Sequence, residues 1–192
     1  MKFGVSEKSN KVNNNNKLIH NTMKHLTTLF LFMSTLLVSA QDTVVQSSVN
    51  GLLTHNQNQI TALANAFTEE QYDWRPADGV RSVGEVILHT AAANYFLVSM
   101  LGFQIPSDVD MASMEKIKGK EQAIDALTKS FEYAKEKIGA VKSADFGKEI
   151  DLGFNKLSTV GTMMVVLEHT GEHKGQLIAY ARANGITPPW SN

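Results

Sequence analysis

The stretch LEHTGEHKGQL, residues 167–177, sets two histidines four positions apart, His169 and His173. On an α-helix that spacing puts both side chains on one face, about 40° apart around the axis and one turn apart along it. Two imidazoles so placed can share one metal ion, and imidazole suits Zn, Cu, Fe and Ni alike. The pair therefore asks for a helix, for a third ligand from elsewhere in the chain, and for room beside the ion.

The helix is written in the flanking residues. It starts at Ser158 or Thr159 and ends before Gly185, with Pro188-Pro189 closing the chain. Three further amphipathic segments precede it. The first, from about Val44 to Phe67, repeats Val45, Val49, Leu52, Leu53, Ile60, Leu63 and Phe67 at helical spacing. It gives way to the loop YDWRPADGVR (72–81), marked by Pro76 and Asp78-Gly79. The second opens on the capping-box pattern Ser82-Val-Gly-Glu85, in which Ser82 accepts from the Glu85 N–H while Glu85 reaches back. It runs through VILHTAAANYFLVSML (86–101) and stops near Gly102, a natural helix-ending residue. The third, about Lys120 to Val141, turns Ala123, Ile124, Leu127, Phe131, Ala134 and Ile138 inward and Glu121, Lys129, Glu132 and Glu136 to solvent. No run of alternating residues asks for strands. Four helices of this length predict an all-α four-helix bundle. The connections around 103–119 and 142–157 are long for hairpins between neighbours, so crossover connections are expected.

Ahead of the bundle the chain has two further parts. Residues 1–22 are mostly polar, include the run Asn13–Asn16, and carry no apolar periodicity, so they read as a disordered stretch or a misassigned start. From Met23 the order is a basic residue, Lys24, an apolar run from Leu26 to Val38, and the small residues Val38-Ser39-Ala40. That is the layout of a secretory signal peptide over residues 23–40, with cleavage after Ala40 and translation starting at Met23. The run is short for a membrane span, which needs about 20 residues. The expected product is an exported, periplasmic or secreted domain of residues 41–192, with no stable membrane insertion. That domain holds 18 Asp and Glu against 13 Lys and Arg and only three arginines, which makes nucleic acid and anionic lipid poor partners. The absence of cysteine removes thiolate ligands, a cysteine nucleophile and disulfides.

The candidate third ligand comes from the second helix. The domain has four histidines: His55, His89, His169 and His173. His89 lies on the stripe of Val86, Ala93 and Phe96, which aims its imidazole at the bundle interior. A lone histidine on an apolar face is ordinarily a hydrogen-bonded core residue. Here another helix aims two more at the same core, and a shared ion would occupy all three acceptor nitrogens.

Three stretches, WRPADGVRSVGEVILHTA (74–91), HTGEHKGQL (169–177) and ANGITPPW (183–190), resemble the DinB/YfiT-like family of four-helix-bundle metalloproteins. The resemblance spans about Val44 to Trp190. It implies that one histidine of the second helix and the H-x-x-x-H pair of the last bind a divalent metal, positions that match His89, His169 and His173. His55 has no counterpart in that triad and reads as a surface or structural residue. The resemblance also allows a homodimer.

Three neutral ligands leave a divalent ion its full charge and an open position, the arrangement of catalytic rather than structural zinc. Without a carboxylate ligand the expected metal is Zn or Ni rather than Mg or Ca. Gln176 and Tyr180 continue the histidine face and are candidates to meet a water at the ion, or are simply polar residues at a bundle end. Glu85 is either the helix cap or a partner for His89; Glu168 and Glu172 lie about 100° off the histidine face. Phe103, Met111 and Met114 are apolar loop residues able to cover a site or a partner surface. H-E-x-x-H, G-x-S-x-G, phosphate-loop and dinucleotide motifs are absent. The functions compatible with this set are a metal-dependent hydrolase or transferase acting on a small molecule, a non-catalytic metal- or ligand-binding module, or a structural domain with buried histidines.

Overall fold

A computed structural model describes residues 23–24 and 43–191. Apart from Met23 and Lys24, the expected signal peptide and its cleavage point lie outside the described residues. From Val44 onward the chain forms one compact unit. Its helices are α1 (Val44–Ala66), α2 (Val83–Ser99), α3 (Lys120–Gly139) and α4 (Thr159–Ala183).

Local chemistry sets the helix ends. The Ser82 capping box is complete, with the Ser82 Oγ accepting from Glu85 N and the Glu85 carboxylate accepting from Ser82 N at 2.8 Å. After α2 the chain turns at Gly102, whose φ of +93° a side chain would disfavour. Ser158 caps α4 by accepting from Gly161 N. Helix α3 has no cap of its own, because Gly119 precedes it. Glu69, on the connection after α1, supplies one: its carboxylate accepts from Lys120 N. The same Lys120 returns the service, its ammonium donating to the carbonyls of Asn65 and Phe67 at the end of α1. Two helix ends with opposite partial charges thus neutralise each other through one acid and one base.

The helices pack in the order α1–α3–α2–α4 around a ring, so α1 and α2 face each other across a diagonal, as do α3 and α4. Directions follow from the contacts. Gln46 of α1 donates to Val141 beyond α3, while Lys120 meets the end of α1, so α1 and α3 are antiparallel. Arg81 meets Tyr180 and His89 meets His169, so α2 and α4 are antiparallel. Asn94 donates to Ser130, with Leu88 beside Ala123 below and Met100 beside Ala140 above, so α2 and α3 are parallel neighbours. The expected long connections now have reasons. Residues 100–119 must return the whole length of the 17-residue α2, about 25 Å, before α3 can start. Residues 140–158 cross a diagonal. So does 67–82, which the sequence reading treats as a simple loop.

Phe67, Leu53, Ile60, Leu63, Ile87, Leu127, Phe131, Ile138 and Leu177 are fully buried and form the core. Two expectations of burial fail. Leu52 is 53% exposed, because the stripe of α1 is narrower than its run of apolar residues. Phe96 is 47% exposed, because its face of α2 borders a cleft rather than the core. The four-helix bundle is as expected; the described residues add to it a small antiparallel hairpin, β1 (Glu149–Asp151) with β2 (Lys156–Ser158), paired Ile150 to Leu157. Strands of three residues are too short for alternation to register. Their turn is fixed by Leu152 N donating to Asn155 O, by the Asp151 carboxylate accepting from Gly153 N, and by Gly153 at φ +82°.

Lys120→Met, which keeps the apolar stem and removes the ammonium, should lower unfolding free energy by about 1–2 kcal/mol in urea titration. An unchanged midpoint would mean that the link between α1 and α3 adds nothing to stability.

Candidate metal centre

His89 on α2 and His169 and His173 on α4 meet between antiparallel helices. One nitrogen from each lies within 4.8 Å of the others, and the Nε2 atoms of His169 and His173 are 3.1 Å apart. Adjacent nitrogens about a tetrahedral ion at ordinary Zn–N lengths are about 3.3 Å apart, so this pair is already near ligand spacing. His173 is buried and the other two rings are half-buried. His55 is exposed on α1, as expected.

The outward nitrogens decide which lone pairs face inward. His89 Nδ1 is 2.6 Å from the Glu115 carboxylate, an acceptor, so Nδ1 carries the proton. Glu115 is itself held by the Arg81 guanidinium at 3.3 and 3.5 Å. His173 Nδ1 is 2.8 Å from Gln176 Oε1. That amide cannot be reversed without loss, because Gln176 Nε2 donates to Tyr180 Oη, which donates to the Arg81 carbonyl. Both chains of hydrogen bonds therefore end on Arg81, one on its side chain and one on its backbone. Each leaves an Nε2 lone pair aimed at the common point, the tautomer that metal-binding imidazole requires. The donor set suits a divalent transition ion. His169 Nδ1 is buried without a hydrogen-bond partner, so no such chain fixes that ring.

Electrostatics agree with neutral ligands. Burial, followed by the neighbouring His173, His89 and Arg81, lowers His169 to about 4. Burial also lowers His173, against a smaller upward pull from Gln176. Burial pushes the Glu115 carboxyl up, but hydrogen bonds from His89 and Arg81 outweigh it and hold Glu115 below the usual carboxylate range. The lone pairs of His169 and His173 are thus available at neutral pH, and an ionised carboxylate stands behind the His89 ring.

The open side of the triad faces a cleft of about 460 Å³. Ala92, Ala93, Phe96, Met111, Phe154 and Val165 form its walls, and Glu115 and Glu168 stand among them. Glu168 is exposed at the cleft although it lies off the histidine face. Met111 lines the cleft, whereas Met114 is buried in the core and Phe103 lines a separate cavity between the ends of α2 and α3. Gln176 and Tyr180 share the histidine face but turn behind His173, away from the open side. Their hydrogen bonds run to the His173 ring and to the Arg81 carbonyl, and Tyr180 is buried rather than tipped into solvent. Glu85 does not orient His89; it completes the cap and pairs with Arg75 at 3.1 Å. Sequence reasoning missed Glu115 and Arg81. The only hint was a long connection carrying an acid, since nothing local ties residue 115 to residue 89.

Partners behind metal-binding histidines typically change affinity 10–100-fold when removed. Glu115→Gln and Gln176→Ala should each weaken Zn²⁺ binding in competition with a chromophoric chelator by about that factor, with helical content unchanged. Affinities equal to the parent's would show that neither chain orients a ligand.

The DinB superfamily model matches residues 52–177. Solved structures share the fold. A DinB-like protein from Bacillus cereus aligns with a TM-score of 0.62 at 18% identity, over 72% of this chain and 92% of its own. The DinB-like protein YjoA from Bacillus subtilis gives 0.57 at 18%, over 73% and 94%. YfiT from Bacillus subtilis, described as a probable metal-dependent hydrolase with an unusual four-helix bundle topology, gives 0.59 at 13%, over 74% and 89%. No curated protein matches the sequence. With the family model covering most of the bundle, and the same fold in these structures, the chain belongs to the DinB superfamily.

Proposed function

We propose that this protein is a metal-dependent enzyme that hydrolyses a small molecule or transfers a group from it, with His89, His169 and His173 holding a divalent ion, Zn or Ni foremost. One observation carries the reading: three imidazoles converge beside an open cleft, and two of them have their outer nitrogens tied to acceptors. The description of YfiT as a probable metal-dependent hydrolase supports it by likeness of fold.

A divalent ion in such a site supplies Lewis acidity, polarising a substrate oxygen and easing deprotonation of water. The chain's own part is positional. Glu115, anchored by Arg81, holds the His89 ring and spreads negative charge behind it. Gln176 and Tyr180 hold the His173 ring. The apolar walls shed water from the approach, which strengthens electrostatic interactions inside. Among the described residues Glu168 is the one cleft carboxylate not engaged with a histidine, and is the candidate to accept or return a proton there.

His173→Ala should abolish stoichiometric metal retention and, with it, metal-dependent turnover of a panel of small esters and amides. Turnover that persists in this variant would exclude a reaction at the triad. A second reading, a non-catalytic metal- or ligand-binding module, draws on Gln176 and Tyr180 facing away from the open side. Full metal retention by the parent with no turnover across the panel would favour it.

We further propose that the protein is exported and acts as the domain 41–192, free of nucleic acid and membrane, with a homodimer compatible with the family. The support is the basic, apolar and small-residue order of residues 23–40. Among the described residues no helix is long and apolar enough to cross a membrane. Mass spectrometry of the native protein should find an N-terminus at Gln41; an intact Met23 terminus would contradict cleavage.

A further inference from the structure

We propose that the cleft selects ligands bearing an uncharged apolar group of aromatic size, held between Phe96 of α2 and Phe154 of the β1–β2 turn while the ligand's polar end meets the triad. This rests on the reading of His89, His169 and His173 as an open metal site.

The first observation is exposure. Phe96 and Phe154 are 47% and 71% exposed, and both border the same cleft as His89 and His169. Large aromatic side chains left in water at the rim of a concave site mark a contact surface. Ala92 and Ala93, one turn beyond His89, keep the floor low between the rims, and Met111 offers an adaptable wall. The volume, about 460 Å³, lies within the range of small-molecule sites.

The second observation is charge. Among the described residues no lysine or arginine lines the cleft. The Arg81 guanidinium, which pairs with the cleft residue Glu115, is engaged there, and Glu115 is engaged with His89. The remaining charged wall residue, Glu168, is negative. An anionic group far from the ion would therefore be desolvated against apolar walls, or meet a carboxylate, with no free cation to receive it. A neutral ring meets only favourable contacts.

Hydroxamates test this with one metal-binding group and variable tails, by calorimetric titration of the Zn²⁺-loaded full chain. Benzohydroxamate should bind about tenfold or more tighter than acetohydroxamate, and 4-carboxybenzohydroxamate should lose most of that gain. Phe96→Ser and Phe154→Ser should each cut the benzohydroxamate affinity at least about threefold while leaving acetohydroxamate unchanged. Both positions are exposed, so thermal unfolding should stay near the parent's. Equal affinity for the acetyl and benzoyl compounds would overturn the inference and leave the metal site standing. Tighter binding of a 4-aminomethyl analogue than of benzohydroxamate would overturn it in favour of a cationic ligand. If the loaded protein bound none of them, the open-site reading itself would fall.

Discussion

Three imidazoles packed within a few ångströms of one another can coexist only if their protons are sorted. Two lone pairs facing each other repel, and two N–H groups facing each other clash. The bundle sorts two of the three from behind. Glu115 accepts from the Nδ1–H of His89 and Gln176 Oε1 accepts from the Nδ1–H of His173, so both rings turn lone pairs inward, where the N–H of His169 or a cation between the rings relieves their repulsion. The sorting depends on where Arg81 sits, because its guanidinium steadies Glu115 and its carbonyl terminates the Gln176–Tyr180 chain. Arg81 in turn belongs to a loop that is well pinned. Val83 N donates to Trp74 O, Arg75 bridges Val80 O and Glu85, and Trp74 packs its ring edgewise on Tyr180 at 5.3 Å. The WRPADGVRS segment is therefore a foundation for the histidines although it contains none.

Topology explains why the acid comes from so far along the chain. Parallel α2 and α3 cannot be joined by a short turn, so the chain must descend the bundle before α3 begins. That descent brings Met111 and Glu115 alongside α2, where one becomes a cleft wall and the other the partner of His89. A conventional up-and-down bundle would have a hairpin there and nothing at that height. The unusual connectivity thus contributes part of the site directly.

Periodicity carried most of the architecture. The helices, the Ser82 cap, the Ser158 start and the convergence of His89 with the H-x-x-x-H pair all follow from relations within one helix or between amphipathic faces. What was illegible has a common cause. Glu115 sits 26 positions from His89 on a three-residue turn, and only the path of the return segment unites them. Gln176 lay on the right face, yet spacing cannot say whether an amide reaches forward to an open site or back to a ring nitrogen. Phe96 and Val86 share one apolar stripe, and the pattern does not separate a residue facing core from one facing a cleft. The hairpin carrying Phe154 is below the length at which alternation becomes a signal.

The parallel pairing of α2 with α3, and hence of α1 with α4, has an electrical consequence. In an alternating bundle each helix end sits between ends of opposite sign. Here each end of the bundle is divided, with two amide-rich starts on one half and two carbonyl-rich finishes on the other. The charged side chains at the Ser82 end follow that division: Glu69 and Glu85 attend the starts of α3 and α2, while Lys120 serves the finish of α1 and Arg182 lies in the last turn of α4. The bundle is thus polarised across its width as well as along its helices, and its terminal acids and bases are placed to balance a sideways field that alternating helices would have cancelled among themselves.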